Sequence, residues 1–237
     1  MPAFYERREI VTPGDLLAED DYLAGDNTYK EDSKIYATRV GLVEYDDRKV
    51  FVVALKAFYV PSVGDIVIGK VVEVGLGAWI IDIKAPYPAV LRASDALNRP
   101  FKPQRDDMPS ILDVGDLVMA KIVAYDRTRA PLLSIREPDL GKVERGQIVE
   151  ITPTKIPRVI GRKGSMVTML KQETNCQITV GQNGVILVSG RSPKGEQLAV
   201  MAIRKIDEEA HTSGLTDRVT QMVRSEKGGV EHASEEI

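Results

Sequence analysis

Alternation between apolar and polar positions organises the first part of this chain. "KIYATRVGLVEY" and "KVFVVALKAFYV" set β-branched and aromatic residues at alternating positions, and "DDR" joins them, so the pattern predicts a β-hairpin. The acidic "LLAEDDYLAGDNTYKEDS" ahead of it reads as polar loop, and "VTPGD" is turn chemistry, Pro then Gly. Five short runs follow: "DIVIGKVVEV", "AWIIDI", "AVLRASD", "DLVMAKIVAYD" and "PLLSIRE". Gly69 and the "GLG" turn mark bends, which predicts a small closed barrel rather than a flat sheet. Gly64-Asp65 and Gly115-Asp116 each stand before a strand as matching turns, and the polar "ALNRPFKPQRDDMPSILDVG" is an insert.

Near Gly146 the period changes. "GQIVEIT" reads as a strand and "PTKIPRVIG" as a short helix with Pro near its start. After "GRKG" comes the helix "SMVTMLKQET", with Met166, Met169 and Leu170 on one face. "CQITV" and "VILVSG" form a hairpin through "GQNG", and the long helix "SPKGEQLAVMAIRKIDEEAHTSG" places Leu198, Met201 and Ala202 at core spacing. The order is β-α-α-β-β-α. "TDRVTQMVRSEKG" extends it helically, and "VEHASEEI" reads as a frayed acidic tail.

Composition narrows the possibilities. A chain of 237 residues with 43% hydrophobic content supports packed cores, in one large domain or two to three small ones. No apolar run approaches the ~18 residues of a membrane span, and charges occupy the place of a signal peptide's apolar stretch. The expectation is a soluble, unexported, cytoplasmic protein. Cys176 is the only cysteine and His211 and His232 the only histidines. That inventory excludes a zinc ribbon and an intramolecular disulfide, and Cys176 is expected to pack as a small hydrophobe. The net charge of −3 conceals a local imbalance. From Gly146 to Gly195 seven cations face two carboxylates, a balance of +5 that leaves −8 for the rest. A basic face is therefore expected in the third segment.

That face contains "VIGRKGSMV". A helix N-terminus presents unpaired N–H groups and the positive end of its dipole. Glycines at Gly161 and Gly164 let a phosphate approach the main chain, while Arg162 and Lys163 supply charge at the loop tip. Val159, Ile160 and Ile178 are the candidate apolar floor for bases. A phosphate clamp beside an apolar groove suits single-stranded nucleic acid, because duplex bases cannot reach such a floor.

The run "VIGRKGSMVTMLKQETNCQITV" resembles the KH domain of type I (βααββα) across loop, helices and strand. The resemblance implies that Gly161, Arg162, Lys163 and Gly164 clamp about four nucleotides. "GDIVIGKVVEVGLGAWIIDI" is similar to the S1-type RNA-binding barrel, an OB-fold, with Trp79 where that family often carries an aromatic. The family's second stacking aromatic is missing: "AVLRASD" offers Leu91 and Arg92. Trp79 is therefore either a stacking platform or a core residue. Arg92, Lys121, Arg127, Arg129 and Arg136 remain candidates to track a backbone.

The order of segments resembles the RNA-binding cap subunits of the archaeal exosome, of the S1–KH rather than the zinc-ribbon type. Expected are a multidomain chain, mainly β then α+β. It comprises an N-terminal β-hairpin domain (1–60), an S1 barrel (61–140), a KH domain (145–224) and a flexible acidic tail (225–237). The resemblance implies a cap that needs no cofactor or metal and captures single-stranded RNA. It also implies a hexameric ring of two RNase PH-like subunits, which performs the 3′-to-5′ phosphorolysis. Three caps per ring are implied, mixed or not with zinc-ribbon caps. An S1/KH transcription or translation factor is the alternative. A nuclease in its own right would need Glu19, Asp20 and Asp21, or Asp106 and Asp107, to converge on metal ions. Neighbouring carboxylates in polar sequence do not converge by themselves, and no enzyme is expected.

Overall fold

The computed structural model describes residues 3–19, 21–55, 58–97, 99, 101–102, 106–126, 128–210, 212 and 214–232, with side chains as far as Glu226. Two compact units result, Met1–Ala57 and Phe58–Ile237.

The first unit holds β1 (Ile10–Val11), β2 (Leu16–Glu19), β3 (Leu23–Ala24), β4 (Thr28–Glu31), β5 (Lys34–Ala37), β6 (Gly41–Asp46) and β7 (Lys49–Ala54). They form two small sheets, ordered β1-β6-β7-β3 and β2-β5-β4, around Leu17, Ile35, Val43, Val50 and Val52. The expected hairpin is β6–β7, turning at Asp47, whose φ of 47° is the left-handed conformation that such turns require. Two expectations are corrected. "KIYATRVGLVEY" is not one strand: it divides into β5 and β6, which join different sheets. The break precedes Gly41, where a Cβ would lie 2.4 Å from the Val53 carbonyl oxygen, so β6 starts tight against its neighbour. The acidic stretch is not loop either, since β2, β3 and β4 lie within it. Its polar residues face solvent, which hid the alternation, and Tyr29 stacks on Tyr36 across β4–β5 with ring centroids 5.3 Å apart.

The second unit opens with β8 (Ile66–Val74), β9 (Ala78–Asp82), β10 (Ala89–Arg92), the short helices α1 (Ala93–Ala96) and α2 (Met108–Ile111), β11 (Leu117–Ala124), β12 (Leu132–Ser134) and β13 (Gly141–Lys142). β8, β9, β10, β12 and β11 close into a barrel: β10 pairs parallel to β12, and β12 pairs antiparallel to β11. Gly69 sits at the bend because a Cβ there would meet Ile81 at 2.5 Å. The two Gly-Asp turns hold each other's strands. Gly64 N–H donates to the Ile122 carbonyl and Ile122 N–H to that of Asp65; Gly115 and Asp116 do the same with Val71. Both glycines have φ near +97°, at 98° and 96°. The Asp side chain closes each turn by accepting from Ser62 N–H or Asp113 N–H, and Thr12–Asp15 repeats the device in the first unit. Lys142, 2.5 Å away, and the Asp113 N–H hold the Asp116 carboxyl below its ordinary pKa.

β14 (Gln147–Glu150), α3 (Ile156–Ile160), α4 (Ser165–Thr174), β15 (Cys176–Val180), β16 (Val185–Gly190), α5 (Pro193–Glu209) and α6 (Leu215–His232) complete the chain. The sheet is antiparallel in the order β14-β16-β15, and the helices bury Val159, Leu170, Ala202, Ile206, Val219 and Val223 against it. Helix α6 corrects the expected tail: residues 225–232 are helical, and only 233–237 lie outside the described residues. Arg224 on α6 pairs with Glu173 on α4 at 2.8 Å.

Barrel and KH fold meet at the "GQNG" turn. Asn183, 2% exposed, donates through Nδ2 to the carbonyls of Ile68 (2.8 Å) and Ile83 (3.0 Å) and accepts from Ile68 N–H (3.3 Å). Gln182 exchanges two further bonds with Ile66, and Lys84 pairs with Glu150 at 3.2 Å. A turn expected only to reverse the chain thus joins two folds.

Candidate nucleic-acid interface

The loop between α3 and α4 is built from unusual backbone. Gly161 closes α3 with φ 74° and ψ 174°, a region open essentially to glycine alone. Lys163 (φ 52°, ψ 30°) and Gly164 (φ 78°, ψ 11°) are both left-handed, and α4 starts at Ser165 with no side chain capping it. Most helices begin with Ser, Thr, Asp or Asn accepting from a first-turn N–H. The loop itself takes the first donor of α4, since Ser165 N–H bonds to the Arg162 carbonyl, while the positive dipole end of the helix points toward the loop with no side chain to offset it. Arg162 and Lys163 are exposed and enter no ion pair among the described residues.

The two glycines serve different ends. A Cβ at Gly161 would stand 2.7 Å from the Met166 nitrogen, so that glycine lets the loop fold back on its own helix. Gly164 meets nothing nearer than Thr168 Oγ1 at 4.0 Å, so its space is open to a ligand. Gly161→Ala is expected to cost about 2–3 kcal/mol of stability through strain and overlap. Gly164→Asp should fold with a loss of about 1 kcal/mol or less, since Asp tolerates this conformation. Its carboxylate should nevertheless weaken single-stranded RNA binding at least about tenfold. Thermal unfolding and fluorescence anisotropy on the pair check this; equal damage to fold by both would leave only a tight turn.

The candidate groove residues divide. Val159 is 0% and Ile178 2% exposed, both in the core, so neither offers a face to a base. Spacing explains it: Ile156 and Val159 share the inner face of α3, and Cys176 and Ile178 are the inward positions of β15. Ile160, directly before the loop, stays half-buried, as do Val167 just after it and Val180 on the edge strand. Alternation in "CQITV" puts Cys176, Ile178 and Val180 on one face, which marks Ile178 as inward; Val180 is less covered because it ends the strand.

On the barrel, Trp79 takes the core reading of the two left open, and its place among the RNA-binding candidates is corrected. It is fully buried and donates its indole N–H to the Leu112 carbonyl at 2.8 Å, so it fills the core and stacks on nothing. Register places Arg92, one residue beyond the Leu91–Leu133 pair, beside Ser134, which pairs with Lys121. Lys121 is partly neutralised by Glu137 at 2.6 Å, and Arg136 binds the Ser94 carbonyl and lies 3.6 Å from Asp95. Arg129 is exposed in the β11–β12 loop, apart from Arg92, and Arg127 lies outside the described residues. The carboxylates weighed for metal chemistry are engaged otherwise. Glu19 pairs with Lys34 at 3.7 Å, and Asp106 accepts from Arg99 and from Lys102 N–H. Asp20 lies outside the described residues, and Asp21 and Asp107 are exposed. Among the described residues no three His, Cys, Asp or Glu gather as a metal-holding group. Burial raises the Cys176 thiol, in keeping with a packing role.

Fold and loop define a modular RNA-binding protein, an S1-type barrel carrying a KH domain. Family profiles match accordingly: the exosome RNA-binding protein Rrp4 N-terminal domain over residues 8–56, the Rrp4 S1 domain over 58–124 and the KH domain over 146–205. Exosome complex component Rrp4 of Thermofilum pendens is 46% identical over 219 residues, covering 91% of this chain and 92% of its own. That of Pyrococcus abyssi is 44% identical over 236 residues, covering 96% and 89%. A crystal structure assigned as an exosome complex RNA-binding protein superposes with a TM-score of 0.69 at 51% identity, over 72% of this chain and 98% of that one. The chain belongs to the Rrp4 family, and is a non-catalytic RNA-binding cap subunit of the exosome.

Proposed function

We propose that this cap captures single-stranded RNA on the loop Gly161–Gly164 and passes its 3′ end to a hexameric ring of two RNase PH-like subunits, which carries out the degradation. The observation that carries the capture step is the positive end of α4, without a side-chain cap, behind two exposed cations that enter no ion pair among the described residues. Residues 1–60 dock on the ring, the barrel of residues 61–140 surrounds the pore mouth, and the KH domain of residues 145–224 lies outward and collects substrate. Three copies sit on each ring, alone or mixed with zinc-ribbon caps. Arg92 is the barrel cation best placed to touch passing RNA, being exposed and in no ion pair among the described residues. No described helix is long and apolar enough to cross a membrane. The proposed place of action is the cytoplasm.

Gentle affinity purification from the protein's own cells tests the assembly. Two RNase PH-like chains recovered in near-equal amounts are the expected result. A polymerase or ribosomal set instead would overturn the ring and leave an S1/KH factor acting elsewhere.

A further inference from the structure

A second feature of the KH fold lies at the opposite end of α4. A pocket of about 630 Å³ is lined by Lys171, Gln172, Asn175, Gln177, Ser189 and Arg191. Among the described residues no carboxylate lines it. Glu173 nearby is turned to Arg224, and Glu196 accepts the Gly190 N–H at 2.8 Å. Lys171 and Arg191 enter no ion pair among the described residues. The volume lies within the ordinary range of small-molecule sites. The lining amides carry donors and acceptors together, as base edges require, and the two cations suit phosphate.

Position connects this pocket to the loop. A Cβ added at Gly164 would lie 4.0 Å from Thr168 Oγ1, and Thr168 also lines the pocket. Thr168, Lys171, Gln172 and Asn175 follow at helical spacing, so one polar stripe of α4 runs from clamp to pocket. Gly164 to Lys171 spans about 10 Å of helix axis, about three nucleotides of a stacked strand. The C-terminal end of α4 carries the negative end of the dipole, which Lys171 in the last turn offsets.

We propose that this pocket is a second RNA subsite. It holds a nucleotide of the same single strand about two to three positions beyond those in the clamp, with its phosphate toward Lys171 and Arg191 and its base among Gln172, Asn175 and Gln177. The proposal rests on the clamp reading and extends it: the KH domain grips a strand longer than the about four nucleotides that its loop alone holds.

The isotope-labelled full chain is titrated with oligouridylates of about four and about seven nucleotides, by amide shifts and by salt-dependent anisotropy. The shorter strand should move the amides of Gly161 to Gly164. The longer one should also move Gln172, Asn175 and Gln177, bind at least about tenfold tighter, and show a salt slope steeper by about 1.4. In the variant Lys171→Ala/Arg191→Ala the short strand should bind as before and the long strand no better than the short. If the long strand moves only the loop, or the variant keeps the gain with length, the second subsite is overturned and the clamp stands. Equal loss of short-strand binding in a folded variant overturns it as a separate site. If the short strand leaves the loop amides unmoved, the clamp reading fails and the subsite with it.

Discussion

Arg162→Asp combined with Lys163→Asp should lower single-stranded RNA affinity about 100-fold at low salt. Each side chain is positioned to make one charge-assisted contact to phosphate, worth about 1.5 kcal/mol, and two such losses give that factor. Salt dependence is the sharper readout: the log–log slope should fall by about 0.7 per lost contact on a single strand, about 1.4 in all. Stability should hardly change, because both residues are exposed and Asp tolerates the left-handed conformation of Lys163. An unchanged slope in a variant that melts normally would sink the clamp assignment, whatever happened to affinity.

Asn183→Ala should be the most damaging single substitution for the second unit. It removes three hydrogen bonds from a buried seam and strands the Ile68 N–H and the Ile68 and Ile83 carbonyls without their partner. Buried groups left unsatisfied cost about 1–3 kcal/mol each, partly relieved where water enters, so a net loss of about 3–5 kcal/mol follows. For a unit of this size that is about 10 °C in melting temperature. Calorimetry on the full chain should show the barrel and KH transitions drawing apart as the joint weakens. A melting temperature within a degree or two of the native value would mean that Gln182 and the Lys84–Glu150 pair hold the seam without it.

Most of the architecture was legible because it rests on local period. The five barrel runs and the β-α-α-β-β-α order announce themselves through alternation, glycine bends and helical spacing. What escaped depends on partners distant in sequence. Nothing in "GQNG" reveals that its asparagine inserts into another fold, because the acceptors belong to Ile68 and Ile83. Trp79 was ambiguous since an inward and an outward tryptophan look alike until the register of β9 is known; the buried run Trp79, Ile81, Ile83 then decides it. The strands of the first unit were hidden by their polar exposed faces. In the loop, the sequence displayed which residues gather, but not that Gly161 serves the fold and Gly164 the ligand, a division that only backbone angles and close distances reveal.

The paired Gly-Asp turns carry a consequence for how this barrel tolerates change. β8 and β11 are far apart in sequence, and a one-residue slip between them would turn every core side chain outward. Each strand is pinned at its start by a turn that bonds to the other, so their alignment does not depend on what the chain does between them. Lengthening an intervening loop costs little, about 0.6 kcal/mol per doubling. The stretch between α1 and α2 can therefore lengthen while the barrel keeps its alignment, provided that Met108 and Leu112 still reach the core and the Leu112 carbonyl still meets Trp79.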